Sequence, residues 1–200
     1  YMVGNVLIDN IRFLQQRMQR PAVMDQEHLE EGKYLLLTLN RKAIVNNIEE
    51  MKKLISTIDG VARKAGIKVL APLRGKALGF VLAFKAYQDV ADHQSGIMVV
   101  QPQGYLDFSY LAAHAMGVIT DSGNVAEEAT FNGVPCITLN SYTEHLETVT
   151  VGTNELVAED PEKLQLAMEK IVKGEWKKAG IPDRWDGRSA ERIVQIICGE

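Results

Sequence analysis

The chain has 200 residues, 46% of them hydrophobic, which makes one ordinary domain with a full core, or one and a half at most. Its 22 Lys and Arg against 26 Asp and Glu give a formal charge of −4, and no basic run is interleaved with aromatics, so a nucleic-acid surface is not expected. No apolar stretch reaches the roughly eighteen residues a membrane helix needs, and Tyr1-Met2-Val3-Gly4 shows neither a basic n-region nor a cleavage signature, so neither a membrane span nor a signal peptide is expected.

Val6 to Met18 reads as a helix with Leu7, Ile11 and Leu14 on one face. The polar stretch 19–32, with Pro21 and several acids, reads as a loop. Tyr34 to Leu39 is a continuous apolar run, as expected of a parallel strand buried on both faces. Asn47-Ile48-Glu49-Glu50 has capping-box spacing, and Ile48, Met51, Ile55, Ile58 and Ala62 follow at helical intervals up to Gly66. A strand is expected over Ile67 to Ala71, a helix over Ala77 to Ala91, a strand over Gly96 to Gln101 and a helix over Tyr105 to Ala115. Gly117 to Thr120 is a strand, and a helix follows it to Gly133, with Pro135 just beyond as a stop signal. Val134 to Leu139 is the next strand. Asp160-Pro161 opens a helix closed by Gly174, striped by Leu164, Ala167, Met168 and Ile171, and Ser189 to Cys198 forms a last amphipathic helix.

Five or six strands alternating with helices predict an α/β fold, a doubly wound parallel sheet of Rossmann-like kind. Ligands of such sheets sit at the C-terminal strand ends near a switch point. The loops with Asn40-Arg41, Arg74-Gly75-Lys76, Pro102-Gln103-Gly104 and Asp121-Ser122 all follow expected strands, so they share one rim. Cys136 lies in the apolar run Val134-Pro135-Cys136-Ile137-Thr138-Leu139 and reads as a small core residue. Cys198 is far from it, and His28, His93, His114 and His145 are scattered. No metal site is expected, and a reduced, cytoplasmic setting is.

The most informative segment runs from Val118 to Ala129: a short buried strand, a Ser/Gly turn, then a helix with two acids in its second turn. The N–H groups of Gly123 and Asn124 at a helix start, beside the Ser122 hydroxyl, form an anion site suited to phosphate. Glu128, six residues past Ser122, is placed to accept hydrogen bonds from a ribose diol. Together they suggest a nucleoside diphosphate. The plain alternative is an ordinary helix start capped by Asp121 or Ser122. Glu127 is read as a solvated helix residue.

These segments resemble the C-terminal half of the non-hydrolysing UDP-N-acetylglucosamine 2-epimerases. Val3-Gly4-Asn5 with Ile8-Asp9 is similar to the family's VGN-x-x-ID, and Leu37-Thr38-Leu39-Asn40-Arg41 to LT-x-HR. Gly104 to Phe108 resembles GY-x-x-F, Thr120 to Ala129 TDSGG-x-x-EEA, Thr143 to Glu147 TERPE, and Trp185-Asp186-Gly187 with Ala190 to Ile193 the closing DG-x-A-x-RI. The resemblance implies the C-terminal domain of a GT-B two-domain fold, binding UDP or a UDP-N-acetylhexosamine without a metal or cofactor. Ser122, Gly123 and Asn124 would hold the diphosphate and Glu128 the ribose. Phe108 would lie by the uracil, and Arg41 and His145 near the phosphates. The implied reaction eliminates UDP to a 2-acetamidoglucal and adds it back with C2 inverted.

Several positions depart from the pattern. Asn40 replaces the family His and cannot carry a proton near neutral pH. Ala43-Ile44 replaces Glu-Asn, so a polar rim is expected to have become apolar. Arg74 replaces a His, Asn124 the second Gly of TDSGG, and His145 the Arg of TERPE. The family's N-terminal half, with most of its catalytic carboxylates, is absent, so this chain alone is expected to be inactive. Three readings stay open: part of an epimerase, a stand-alone UDP-sugar binding or regulatory module, and a protein that keeps the fold for an interaction surface. A homodimer is expected, since the first and last helices carry more apolar surface than solvated helices need.

Overall fold

The computed structural model describes residues 1–90 and 94–199. Ala91, the expected end of one helix, and His93 lie outside the described residues. Six strands, β1 (Tyr34–Thr38), β2 (Lys68–Pro72), β3 (Ile97–Val100), β4 (Gly117–Thr120), β5 (Cys136–Thr138) and β6 (Asn154–Leu156), form one sheet. All neighbours pair in parallel, in the order β3-β2-β1-β4-β5-β6. That is the strand order of the doubly wound dinucleotide-binding fold, with its switch point between β1 and β4. Ten α-helices precede, connect and follow the strands among the described residues: α1 (Val6–Leu14), α2 (Ala22–Gln26), α3 (Lys42–Val45), α4 (Ile48–Ala65), α5 (Gly75–Val90), α6 (Tyr105–Ala113), α7 (Gly123–Phe131), α8 (Leu146–Thr150), α9 (Pro161–Lys173) and α10 (Ser189–Cys198).

Strand residues alternate between two cores. Leu35, Leu37, Val69, Ala71, Ile119 and Ile137 face α4, α5 and α9. Tyr34, Leu36, Leu70, Val118 and Cys136 face α2, α6 and α7. A sheet covered on both sides needs apolar side chains at consecutive positions, which is why β1 reads as an unbroken run. Burial pushes the Cys136 thiol up to about 12, so it behaves as an inert core residue.

The expected elements fall in place with shifts of up to four residues at their ends. The first helix stops at Leu14, and a 3₁₀ turn carries the chain to Arg17. The loop expected over 19–32 contains α2. Asn47 caps α4 by accepting from Glu50 N, but the Asn47 N–H bonds Ile44 O, so the box is half made. Ile44 is 1% exposed and anchors α3 in the core, so the apolar rim expected at Ala43-Ile44 does not form. Edge strand β6 and the short helices α3 and α8 add to the expected elements.

The chain's two ends are clasped together. The Asn5 carbonyl-amide side chain caps α1 through Leu7 N, and the Asp9 carboxylate caps α10 by accepting from Ser189 N at 3.0 Å and Ala190 N at 2.6 Å. Arg192 pairs with Asp186 and donates to Val3 O. Gly4 has φ +101°, and a Cβ there would stand 2.3 Å from Arg184 O, so only glycine fits this crossing. Ile8 and Ile11 pack with Trp185 and Phe131. Of the apolar face expected on α1, Ile11 is buried within the chain and Leu7 and Leu14 are half-buried, whereas Val194 and Ile197 on α10 stay 58% and 78% exposed.

Candidate functional site

At the switch point the C-terminal ends of β1, β4 and β5 present Thr38, Thr120 and Thr138 in register. Thr38 and Thr120 join hydroxyls at 2.7 Å. Just past them Asp121, 7% exposed, uses Oδ2 to accept from the backbone N–H groups of Asn40 at 2.6 Å and Arg41 at 2.7 Å. Asp121 is therefore not a helix cap. It pins the loop after β1 to the loop after β4 and fixes the width of the crevice. Asn140, at the end of β5, donates to Asp121 O and steadies it from the other side.

Ser122 occupies the N-cap position of α7 in extended conformation, but its side chain makes no capping bond. Its own N–H goes to Thr120 Oγ1 at 3.0 Å. The first helical bond of α7 is Ala126 N to Ser122 O, so the N–H groups of Gly123, Asn124 and Val125 precede the ladder and point outward with the positive end of the helix. Gly123 and Ser122 are half-buried and Asn124 is exposed.

Over this helix start lies His145, from the loop after β5. A Cβ on Gly123 would come within 3.4 Å of its Cδ2 and 3.7 Å of its Nε2. Its other nitrogen, Nδ1, is 3.0 Å from Glu127 Oε1. Glu127 is 3% exposed and also accepts from the Asn5 side-chain amide, so the reading of Glu127 as a solvated residue is overturned. Its helix face turns toward α1 and the His145 loop, not toward water. Burial raises its carboxyl above the ordinary range, opposed by His145 and Asn5.

Glu128, 5% exposed, faces a different neighbour, α6, where Ser109 Oγ donates to its Oε2 at 3.2 Å. Burial raises this carboxyl too, with Ser109 opposing. Ser109 and Tyr105 share one face of α6 at i,i+4 spacing. The negative charge of Glu128 in turn raises the Tyr105 phenol beyond what burial does. Phe108, next to Ser109, is half-buried against the α6–α7 core. Arg41 is on the same rim, but its guanidinium is turned to Tyr142, donating to the phenol oxygen at 2.7 Å and lying 5.0 Å from the ring centre. Asn40 is exposed at the crevice mouth, held through its backbone by Asp121.

The structure thus brings Ser122, Gly123, Asn124 and His145 together at one helix start, with Glu128 a turn further on and Arg41 and Phe108 on flanking loops and helices. Asn5, Ser109 and Glu127 complete the site without having been read from the sequence as site residues, and Asp121, which the sequence places on the rim, joins it as a clamp rather than a cap. The Tyr105/Ser109 spacing was a usable signal, whereas Asn5 and Glu127 have none before the fold is known. Chemically, the arrangement offers backbone donors for an anion and a desolvated carboxylate for hydroxyls. Among the described residues, no group of three His, Cys, Asp or Glu side chains is placed to hold a metal, and no helix is long and apolar enough to cross a membrane.

A family model described as UDP-N-acetylglucosamine 2-epimerase matches residues 1–198. The UDP-N-acetylglucosamine 2-epimerase of Methanococcus maripaludis is 31% identical over 206 residues, covering 100% of this chain and 55% of its own. The enzyme of that name from Methanocaldococcus jannaschii is 32% identical over 203 residues, covering 98% of this chain and 54% of its own. The solved structure of the Methanocaldococcus jannaschii UDP-GlcNAc 2-epimerase in complex with UDP-GlcNAc and UDP superposes with a TM-score of 0.80, over 100% of this chain and 55% of that one. The chain spans about half the length of the relatives it matches.

Proposed function

Because the chain belongs to the UDP-N-acetylglucosamine 2-epimerase family, we propose that its 200 residues act as the single UDP-binding domain of such an enzyme, holding UDP or a UDP-N-acetylhexosamine at the crevice between β1 and β4. The activity it serves is interconversion of UDP-N-acetylglucosamine and its manno epimer, by loss and return of UDP. The observation that carries this reading is the start of α7, where a serine hydroxyl and backbone donors are all left free of capping, one turn before a buried glutamate. In this reading Ser122, Gly123 and Asn124 seat the diphosphate, with His145 over it. Glu128 takes the ribose hydroxyls, the uracil lies toward Phe108, and Arg41 borders the phosphates and sugar.

A second reading, a stand-alone UDP-sugar binding module, is favoured by Asn40, whose side chain cannot carry a proton at the crevice mouth. Both readings require UDP to bind. Titration calorimetry is expected to show UDP binding to the chain and a loss of about tenfold to a hundredfold in Glu128→Ala, the worth of charge-assisted hydrogen bonds at about 1.5–3 kcal/mol. Equal affinity in the two proteins rejects the ribose role. A cytoplasmic setting accompanies this reading, in keeping with two free cysteines. The exposed Val194 and Ile197 support a homodimer closed by two-fold symmetry. Sedimentation of a monomer at micromolar concentration overturns that assembly.

A further inference from the structure

The His145 ring faces two ways. Nδ1 meets the Glu127 carboxylate at 3.0 Å, while Cδ2 and Nε2 edge the start of α7 at Gly123. Glu127 has no freedom to turn away, being 3% exposed and held by the Asn5 amide. A carboxylate so fixed requires a hydrogen on Nδ1 and sets the ring plane, leaving Nε2 for whatever lies on the helix start.

We propose that Glu127 is a positioning residue that aims His145 Nε2 at the diphosphate, so that binding of a nucleotide diphosphate draws a proton onto the His145 ring. Resting on the reading of the α7 start as the diphosphate seat, the inference adds a regulation of that seat by pH. The charges around the ring explain the coupling. Without ligand, the Nε2 edge of the ring faces the positive end of α7 at Gly123. Glu127 on α7, Glu147 on α8 and Asp183 in the segment before Trp185 are the acids that line the same cavity of about 530 Å³ as His145. Glu144, next to it in the chain, is exposed, and the start of α1 lines the cavity with the neutral Asn5 and Val6. A diphosphate places negative charge on the one side of the ring that faced a positive helix end, and the balance tips toward the imidazolium. An arginine at this place is charged at every relevant pH and has no such coupling. A histidine makes the grip depend on proton concentration.

UDP-N-acetylglucosamine is the probe, because its diphosphate is a diester and lacks the monoester oxygen that titrates near pH 6. Calorimetry near pH 7 in buffers of different ionisation enthalpy is expected to show proton uptake on binding. Affinity is expected to rise about tenfold or more from pH 8 to pH 6, because the neutral ring, its one hydrogen committed to Glu127, has none on Nε2 for a phosphate oxygen, whereas the imidazolium offers a charge-assisted bond of about 1.5–3 kcal/mol. His145→Arg, which leaves the buried residues untouched, is expected to bind with neither proton uptake nor pH dependence. Glu127→Gln, which keeps the side chain's shape without its charge, is expected to match the wild type at pH 8 and fall behind it at pH 6. Proton uptake persisting in His145→Arg, or a wild-type pH profile in Glu127→Gln, overturns the coupling while the diphosphate seat stands. No binding by the wild type at any pH overturns the seat and the coupling together.

Discussion

Asp121→Ala removes the pin between the loops after β1 and β4. The lost interactions are two hydrogen bonds from the N–H groups of Asn40 and Arg41 to one carboxylate oxygen, at 2.6 and 2.7 Å. Bonds to a charged acceptor contribute about 1.5–3 kcal/mol each, so the pair is worth at most about 3–6 kcal/mol. Asn40 is exposed and Arg41 half-exposed, so water reaches the freed N–H groups in part. The expected loss is therefore about 2–4 kcal/mol. Asp121→Asn keeps an acceptor and loses only its charge, and is expected to cost about 1–2 kcal/mol. With a urea m-value of about 2 kcal/mol/M for a chain of this size, the midpoint drops by about 1–2 M for alanine and by less than 1 M for asparagine. Urea unfolding at neutral pH, followed by circular dichroism, measures both. If Asp121→Ala unfolds within about 0.3 M of the wild type, the carboxylate is not a clamp and the crevice width is set by the strands alone.

Glu128→Gln is expected to stabilise the chain above about pH 5 by about 0.5–2 kcal/mol, a common gain when a buried functional charge is removed, while weakening UDP binding; thermal unfolding beside calorimetry reads the two opposite signs. The sign follows from burial raising the folded-state carboxyl, whose contribution is favourable below its unfolded value and is lost as pH rises through the folded one. Gly123→Ala is expected to leave thermal stability within about 1 kcal/mol, since the added methyl meets His145 only at ordinary contact distance, yet to lower UDP affinity by crowding the helix start; unchanged affinity refutes the seat. Gly4→Ala is expected to unfold the α1–α10 clasp, read as faster proteolysis at the chain ends, because its Cβ meets Arg184 O at 2.3 Å. Asp186 is held down to about 2 by its bond to Arg192, so the clasp is secure above about pH 4 and is expected to open as pH falls from there toward 2, which hydrogen exchange over α10 detects.

The sheet and long helices were legible because each carries a period or an apolar run of its own. β1 shows Tyr34 to Leu37 buried on alternating faces, and α4 shows a cap, a stripe and a terminal Gly66. Strand β6 was hidden because Asn154 is polar and wholly buried, its amide satisfied by Thr138 and Thr148, a bonding that leaves no trace in hydropathy. Helices α2, α3 and α8, four or five residues long, have too few turns to display a period. In the site, the Ser122–Asn124 turn was readable as strand, turn and helix. Glu127 was not, because an acid beside another acid on a helix is solvated in most proteins, and here Asn5, its partner, lies 122 residues away. Asp121 looked like a cap for the same reason: the backbone groups it holds are 80 residues earlier in the chain.

The clasp between the chain's ends has a kinetic consequence. Asp9 and Ser189 are 180 residues apart, and Arg192 and Val3 are 189 apart, so these bonds are among those that close the longest loops among the described residues. Loop-closure entropy disfavours such contacts until the parallel sheet between them is assembled, which orders the clasp last along the folding route. Interactions absent from the folding transition state govern how fast the native state opens rather than how fast it forms. Weakening Asp9 or Arg192 should therefore shorten the lifetime of the folded chain at nearly constant refolding rate, making this junction its kinetic lock.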